Sequence, residues 1–186
     1  MVSGPGDMAN LPLIHDAIEP LDGARVHLRP VIGDDIEVVV AVISDEGVVP
    51  WWQAPDPRLD AAELIDDDEL AFWIIEDAGA PVGIIFAGEE TDPQYRHGGI
   101  DIALAAAGRG RGLGADAVRT VARWLIDVRG HHRLTIDPSA ANARAIAVYA
   151  SLGFRPVGTM RGYERWLDGS WHDGLLMDLL ADELRD

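Results

Sequence analysis

The 186-residue sequence contains no cysteine. That absence excludes disulfides, thiolate metal sites and a cysteine nucleophile. Lysine is absent too, so all 15 basic residues are arginine. We read this as a compositional bias; it also removes the lysine that a P-loop, GxxxxGKS/T, requires. No apolar run approaches the ~20 residues of a membrane span. The longest, near Ile36 to Ile43, is short and flanked by acids. The opening residues, MVSGPGDMAN, lack the basic region of a secretory signal. They are read as the start of a flexible leader over residues 1–23, followed by one domain over residues 24–186. A cytoplasmic location is the simplest expectation. No repeat, low-complexity tract or linker divides the chain. His97, His131 and His132 have no spacing such as HxxxH, so no metal site is expected.

Acid is what the chain has in excess. Its formal net charge is −17, and residues 1–100 carry all of it, with 4 arginines against 21 carboxylates. Residues 101–186 hold 11 of each and are neutral. Such a field repels nucleic acid and anionic membrane and attracts a polycationic ligand. On composition alone, the plainer reading is a solvated surface.

The periodicities outline an α+β protein. ARVHLRPV (Ala24–Val31) alternates like a strand. GDDIEVVVAVISDE begins with acids and carries an apolar face, as a helix does. GVVPWWQAPDPRL is a proline-rich loop, and DAAELIDDDEL a short acidic helix. LAFWIIED and APVGIIFAGEE form a hairpin through DAGA, and GGIDIALA adds a strand with Asp101 in its middle. ADAVRTVARWLIDVR spaces Val118, Val121, Ala122, Leu125 and Val128 along one helical face. HHRLTIDP is a strand stopped by Pro138; NARAIAVYASLGF is a helix closed by Gly153. Strands in RPVGTMRGYERW and SWHDGLLMDLL, joined by the turn LDGS, complete the chain.

Between a strand and a helix stands RGRGLG, Arg109 to Gly114. Gly110, Gly112 and Gly114 permit backbone conformations and close approaches that other residues resist. The N–H groups of the following helical turn, backed by the helix dipole, suit a phosphate. Arg109 and Arg111 could add charge-assisted hydrogen bonds. Taken alone, the loop is equally a connecting turn. Glycines at 108, 110, 112 and 114 alternate strictly, so the dinucleotide fingerprint GxGxxG fails.

Arg109-Gly110-Arg111-Gly112-Leu113-Gly114 resembles the R/Q-x-x-G-x-G/A pyrophosphate loop of the GNAT N-acetyltransferase superfamily. Asn142, Ala145, Tyr149, Gly153 and Phe154 fall at the spacing of that superfamily's N-x-x-A-x-x-x-Y-x-x-x-GF segment. EETDP, GID, RGLG, TIDPSAANARAI and VVPWW are similar, in order, to segments of the aminoglycoside 6′-N-acetyltransferases. The likeness implies a GNAT fold: a mixed, mostly antiparallel sheet of about six to seven strands flanked by about four helices. It also implies direct acetyl transfer from acetyl-CoA to an amine of a small polycation, the 6′-amine of an aminoglycoside first. Siderophore-type lysine acyltransferases share much of this layout, and a polyamine or protein amine would suit the same acids. A binding module without turnover is the alternative of another class. Monomer and dimer remain equally open.

The resemblance further implies roles. The amides from Arg111 to Ala115 (with Gly112, Leu113 and Gly114), together with Gly110 and Arg109, would hold the CoA pyrophosphate, and Asn142 the pantetheine. Tyr149 would face the sulfur as general acid. Asp101 is the preferred general base, through water, and Asp137 would bind the acceptor beside it. The bland readings are a core tyrosine, a structural aspartate and a turn residue. Glu89, Glu90 and Asp92 would extend an acidic wall, or form an exposed turn. Trp51 and Trp52 would cover sugar rings, or plug the sheet edge.

Overall fold

The computed structural model describes residues 12–186. Along the chain run β1 (Leu21–Asp22), β2 (His27–Pro30), α1 (Ile36–Ile43), α2 (Pro57–Asp66), β3 (Leu70–Asp77) and β4 (Ala80–Glu90). There follow β5 (His97–Leu104), α3 (Leu113–Asp127), β6 (Arg133–Ile136), α4 (Ala143–Leu152), β7 (Arg155–Arg165) and β8 (Trp171–Leu180). The strands form one sheet in the order β1-β2-β3-β4-β5-β6-β8-β7. All neighbours are antiparallel except β5 and β6. None of the helices described is long and apolar enough to cross a membrane.

The sheet's central strands are apolar on both faces, so both must be covered. Along β3, Ala71, Trp73 and Ile75 point to one side, against Ala117, Val121 and Leu125 of α3 and Leu152 of α4. Phe72 and Ile74 point to the other, against Val39, Val42 and Ile43 of α1 and Ala61 of α2. The helices start where local chemistry dictates. Asp56 caps α2 by accepting from the N–H groups of Arg58 and Leu59, with Pro57 at the first helical position. Asn142 caps α4 through the N–H of Ala145.

The sheet has eight strands where six to seven are expected, because the short β1 lies in the segment expected as a leader. Residues 1–11 lie outside the described residues, but residues 12–23 pack on the domain. Ile14 is buried, Leu21 and Asp22 pair with Leu28 and His27, and the Trp73 indole donates to the Glu19 carbonyl at 2.8 Å.

One irregularity positions the site. β5 and β6 pair only at Gly98–Leu134 and Gly99–Thr135. Past these pairs β6 ends before Pro138, whose carbonyl accepts from Leu175 of β8. Asp101 to Leu104 on β5 are thereby left facing a gap.

Candidate active site

That gap is a cleft of about 720 Å³, bounded by β5, the loop into α3, the start of α4, the β6 end, β7 and the tryptophan loop. At one end lies the loop Arg109–Gly114. Gly110 and Gly112 have φ of 77° and 79°, in the left-handed region that glycine occupies without strain. This turns the chain so that α3 begins at Leu113. The first turn of a helix leaves its N–H groups without intrahelical acceptors. Among the described residues, those of Leu113, Gly114 and Ala115 find none elsewhere. Gly110, Gly112, Gly114 and Ala115 line the cleft, whereas the Leu113 side chain is buried in the core beneath.

The two arginines of the loop are already committed. Arg109 donates to Asp45 at 2.6 Å and to the Leu104 carbonyl at 2.8 Å. Asp45 also accepts from the N–H groups of Gly47 and Ala106, each at 2.9 Å. These bonds, Arg109's first, lower the pKa of Asp45. The cluster pins the loop after α1 to the loop before α3. Arg111 reaches Asp77 at 2.7 Å and lies off the cleft. The cation sequence reasoning missed is Arg144, in the first turn of α4. It lines the cleft beside Gly110, where a Cβ would stand 3.9 Å from its Nη2. Asn142 lines the cleft, and its Oδ1 serves as the helix cap.

The other end is acidic and aromatic. Asp101 is exposed on the cleft from β5, flanked by enough protein to penalise its charged form. That desolvation, reinforced by the charge of Asp137, raises its pKa to about 6. Tyr149 lines the cleft from α4, and its hydroxyl has no hydrogen-bond partner among the described residues. Burial first, then the charges of Asp101 and Asp137, pushes the phenol far above its ordinary range. It therefore stays protonated. Trp52 packs edge-on against Phe86, ring centres 5.9 Å apart, while Trp51 keeps 39% of its surface exposed at the cleft. Trp52 thus packs on an interior strand of the sheet, and Trp51 offers an exposed ring to the cleft.

Residues 40–154 match the Acetyltransferase (GNAT) family. The chain belongs to that family. The aminoglycoside N(6′)-acetyltransferase type 1 of Klebsiella pneumoniae is 29% identical to it over 155 residues, 73% of this chain and 76% of that protein. The spermidine N(1)-acetyltransferase of Escherichia coli is 22% identical over 158 residues, covering 82% and 84%. Among solved structures, Mycobacterium smegmatis RimJ in complex with CoA-disulfide superposes with a TM-score of 0.75 at 24% identity, over 91% of this chain and 89% of that one. GNAT acetyltransferases use acetyl-CoA. The cleft fits such a donor on its own evidence. Among the described residues it offers amides without acceptors at a glycine turn, an arginine without an ion-pair partner and, beside Asn142, a buried Ser139 hydroxyl without a partner.

Three expected acceptor-side acids of this GNAT domain do not reach the cleft. Glu89 is 5% exposed and bonds Arg129 at 2.7 and 2.9 Å and His131 at 2.6 Å. Burial opposes its ionisation, but the bonds from His131 and Arg129 together outweigh it and hold the pKa at about 2. Glu90 and Asp92 form an exposed turn, accepting from the N–H groups of Asp92 and Gln94. In their stead β7 supplies Tyr163 and Glu164. Tyr163 donates to Asp137 at 2.5 Å, and that bond, followed by burial, pushes its own pKa up to about 12. Glu164 accepts from the Trp166 indole at 3.1 Å. The sequence carried no signal for either beyond membership of a strand.

Proposed function

We propose that this domain transfers the acetyl group of acetyl-CoA to a primary amine of a small polycation, with the 6′-amine of an aminoglycoside as the first candidate. The observation that carries this reading is Asp101, a carboxylate with a pKa near 6 in the same cleft as a second carboxylate and the glycine loop. A base titrating there is ionised at neutral pH and still able to accept a proton.

The chemistry asked of the residues is direct. Acetyl-CoA supplies an activated thioester. The N–H groups of Leu113, Gly114 and Ala115 would hold its pyrophosphate, and Arg144 would neutralise charge beside them. Asp137 would bind the acceptor's ammonium. Asp101, through water, would take the proton that the ammonium must lose before nitrogen can attack the carbonyl carbon. As the C–N bond forms and the C–S bond breaks, Tyr149, held protonated, would donate to the departing thiolate. Trp51 offers an exposed aromatic face to the apolar side of a ring.

The similarity to spermidine acetyltransferase supports a linear polyamine as the second reading, since the same acids suit either acceptor. A thiol-release assay with acetyl-CoA against kanamycin, tobramycin and spermidine separates them. Preferred turnover of the aminoglycosides supports the first reading and preferred turnover of spermidine the second. No turnover of any would sink both.

A further inference from the structure

Asp101 and Asp137, two of the carboxylates that line the cleft, differ in one respect that the chemistry above leaves unused. Asp101 has no hydrogen-bond partner among the described residues, whereas Asp137 is tethered by the Tyr163 phenol at 2.5 Å. Tyr163 reaches it from β7, whereas Asp101 stands on β5. The ring rests on Gly174 of β8, where a Cβ would stand 2.8 Å from it. Any larger residue at 174 would therefore displace the tyrosine. Half of Tyr163 remains exposed, so it meets the cleft as well as the carboxylate.

We propose that Tyr163 is a positioning residue for the amine acceptor: it ties one oxygen of Asp137, so that the other is held ready for an ammonium group, and leaves untethered Asp101 to take the proton. An ionised carboxylate has about four lone-pair sites, so one phenol donor fixes its orientation without filling it. A carboxylate already fixed has less freedom to lose on binding. The tyrosine oxygen keeps lone pairs that can accept from the same ammonium. The inference rests on the cleft being an amine site.

Tyr163→Phe keeps the ring on Gly174 and removes only the donor. The expected result is a rise of about tenfold in KM for whichever of kanamycin or spermidine is turned over, the factor that ~1.4 kcal/mol represents. The loss falls on that KM, with kcat and the KM for acetyl-CoA held. In an Asp137→Asn background the same change adds nothing further. A tyrosine of merely structural importance would lower kcat and worsen both KM values in either background, and additive effects would overturn the proposal. A second measurement needs no substrate. The chain has three tyrosines, so 13Cζ-tyrosine NMR resolves Tyr163, assigned by its loss in Tyr163→Phe. Its resonance is expected to move in Asp137→Asn; an unmoved resonance overturns the tether itself. If no amine is turned over, the proposed function fails, and the resonance still decides whether Tyr163 holds Asp137.

Discussion

Asp101 sits between Ile100 and Ile102, where an acid is expensive to ionise, and the consequences of that position run in two directions. With its pKa raised to about 6, the base form fills as pH rises through 6, so kcat/KM should climb to a plateau above it. Asp101→Asn should lower kcat by roughly 100-fold or more and abolish that limb; an unchanged pH profile would remove Asp101 from the chemistry. The same shift has the opposite sign for stability. A carboxyl whose folded pKa lies above its unfolded value of about 3.9 stabilises fully below that value and loses the contribution as pH rises through about 6. Solvent in the cleft screens much of that contribution, so the asparagine variant is expected to melt only slightly higher than wild type at pH 7.5, with the difference vanishing near pH 4. Asp101 stood out in the sequence because a carboxylate breaks an apolar strand, at a desolvation cost that calls for a partner or a use. Glu89 was misread because its partners, Arg129 and His131, lie 40 and 42 residues away. Nothing local distinguishes EETD from an exposed turn. Tyr163 was invisible for a related reason: an aromatic in a hairpin strand looks the same whether it faces solvent or a cleft.

At the scale of elements, β3 and β4 emerge with the bounds that their composition implies, since an apolar run between turn residues has few alternatives. β1 does not, because two residues carry no period; pairing with β2 makes it a strand. The loop between β5 and α3 is the instructive case. Its glycines announced the turn and its helix, but the sequence assigned both arginines to phosphate. The fold gives Arg109 to Asp45 and Arg111 to Asp77, and leaves Arg144 of α4 at the cleft. Two substitutions separate these roles. Arg144→Ala should raise the KM for acetyl-CoA about tenfold, the worth of one charge-assisted hydrogen bond, with no change in melting temperature. Arg109→Ala should cost about 1–3 kcal/mol in denaturant unfolding, because it strips the mostly buried Asp45, 16% exposed, of its cation. Equal effects of the two on KM and equal indifference of stability would return Arg109 to the phosphate.

Over the whole molecule, charge is distributed as unevenly as shape. Glu89 of β4, Arg129 and His131 ahead of β6, and the Pro12 carbonyl join three distant parts of the chain in one buried cluster. With Glu89 held at about 2, its contribution is present above the unfolded value of about 4.3 and lost as pH falls through 2. Glu89→Gln should accordingly cost about 3–5 kcal/mol at pH 7 by leaving Arg129 buried without its counter-ion, and the gap to wild type should close in acid. The remaining acids act at longer range. The chain carries a net charge of −17, all of it in residues 1–100, and the expected acceptor of its cleft is a polycation while the donor is an anion. Screening must then affect the two substrates in opposite senses. The Debye length is about 10 Å at 0.1 M salt and shorter above it, so between about 0.05 and 0.5 M the attraction that gathers the acceptor fades. On that basis kcat/KM for a tri- or tetra-amine should fall about tenfold or more, and that for acetyl-CoA should stay level or rise as repulsion is relieved. Measuring both slopes on one enzyme preparation controls for salt effects on the fold, since those would move the two together. Parallel slopes would mean that the acidic half serves solubility alone and that Asp101 and Asp137 recognise the amine by contact, without help from the field around them.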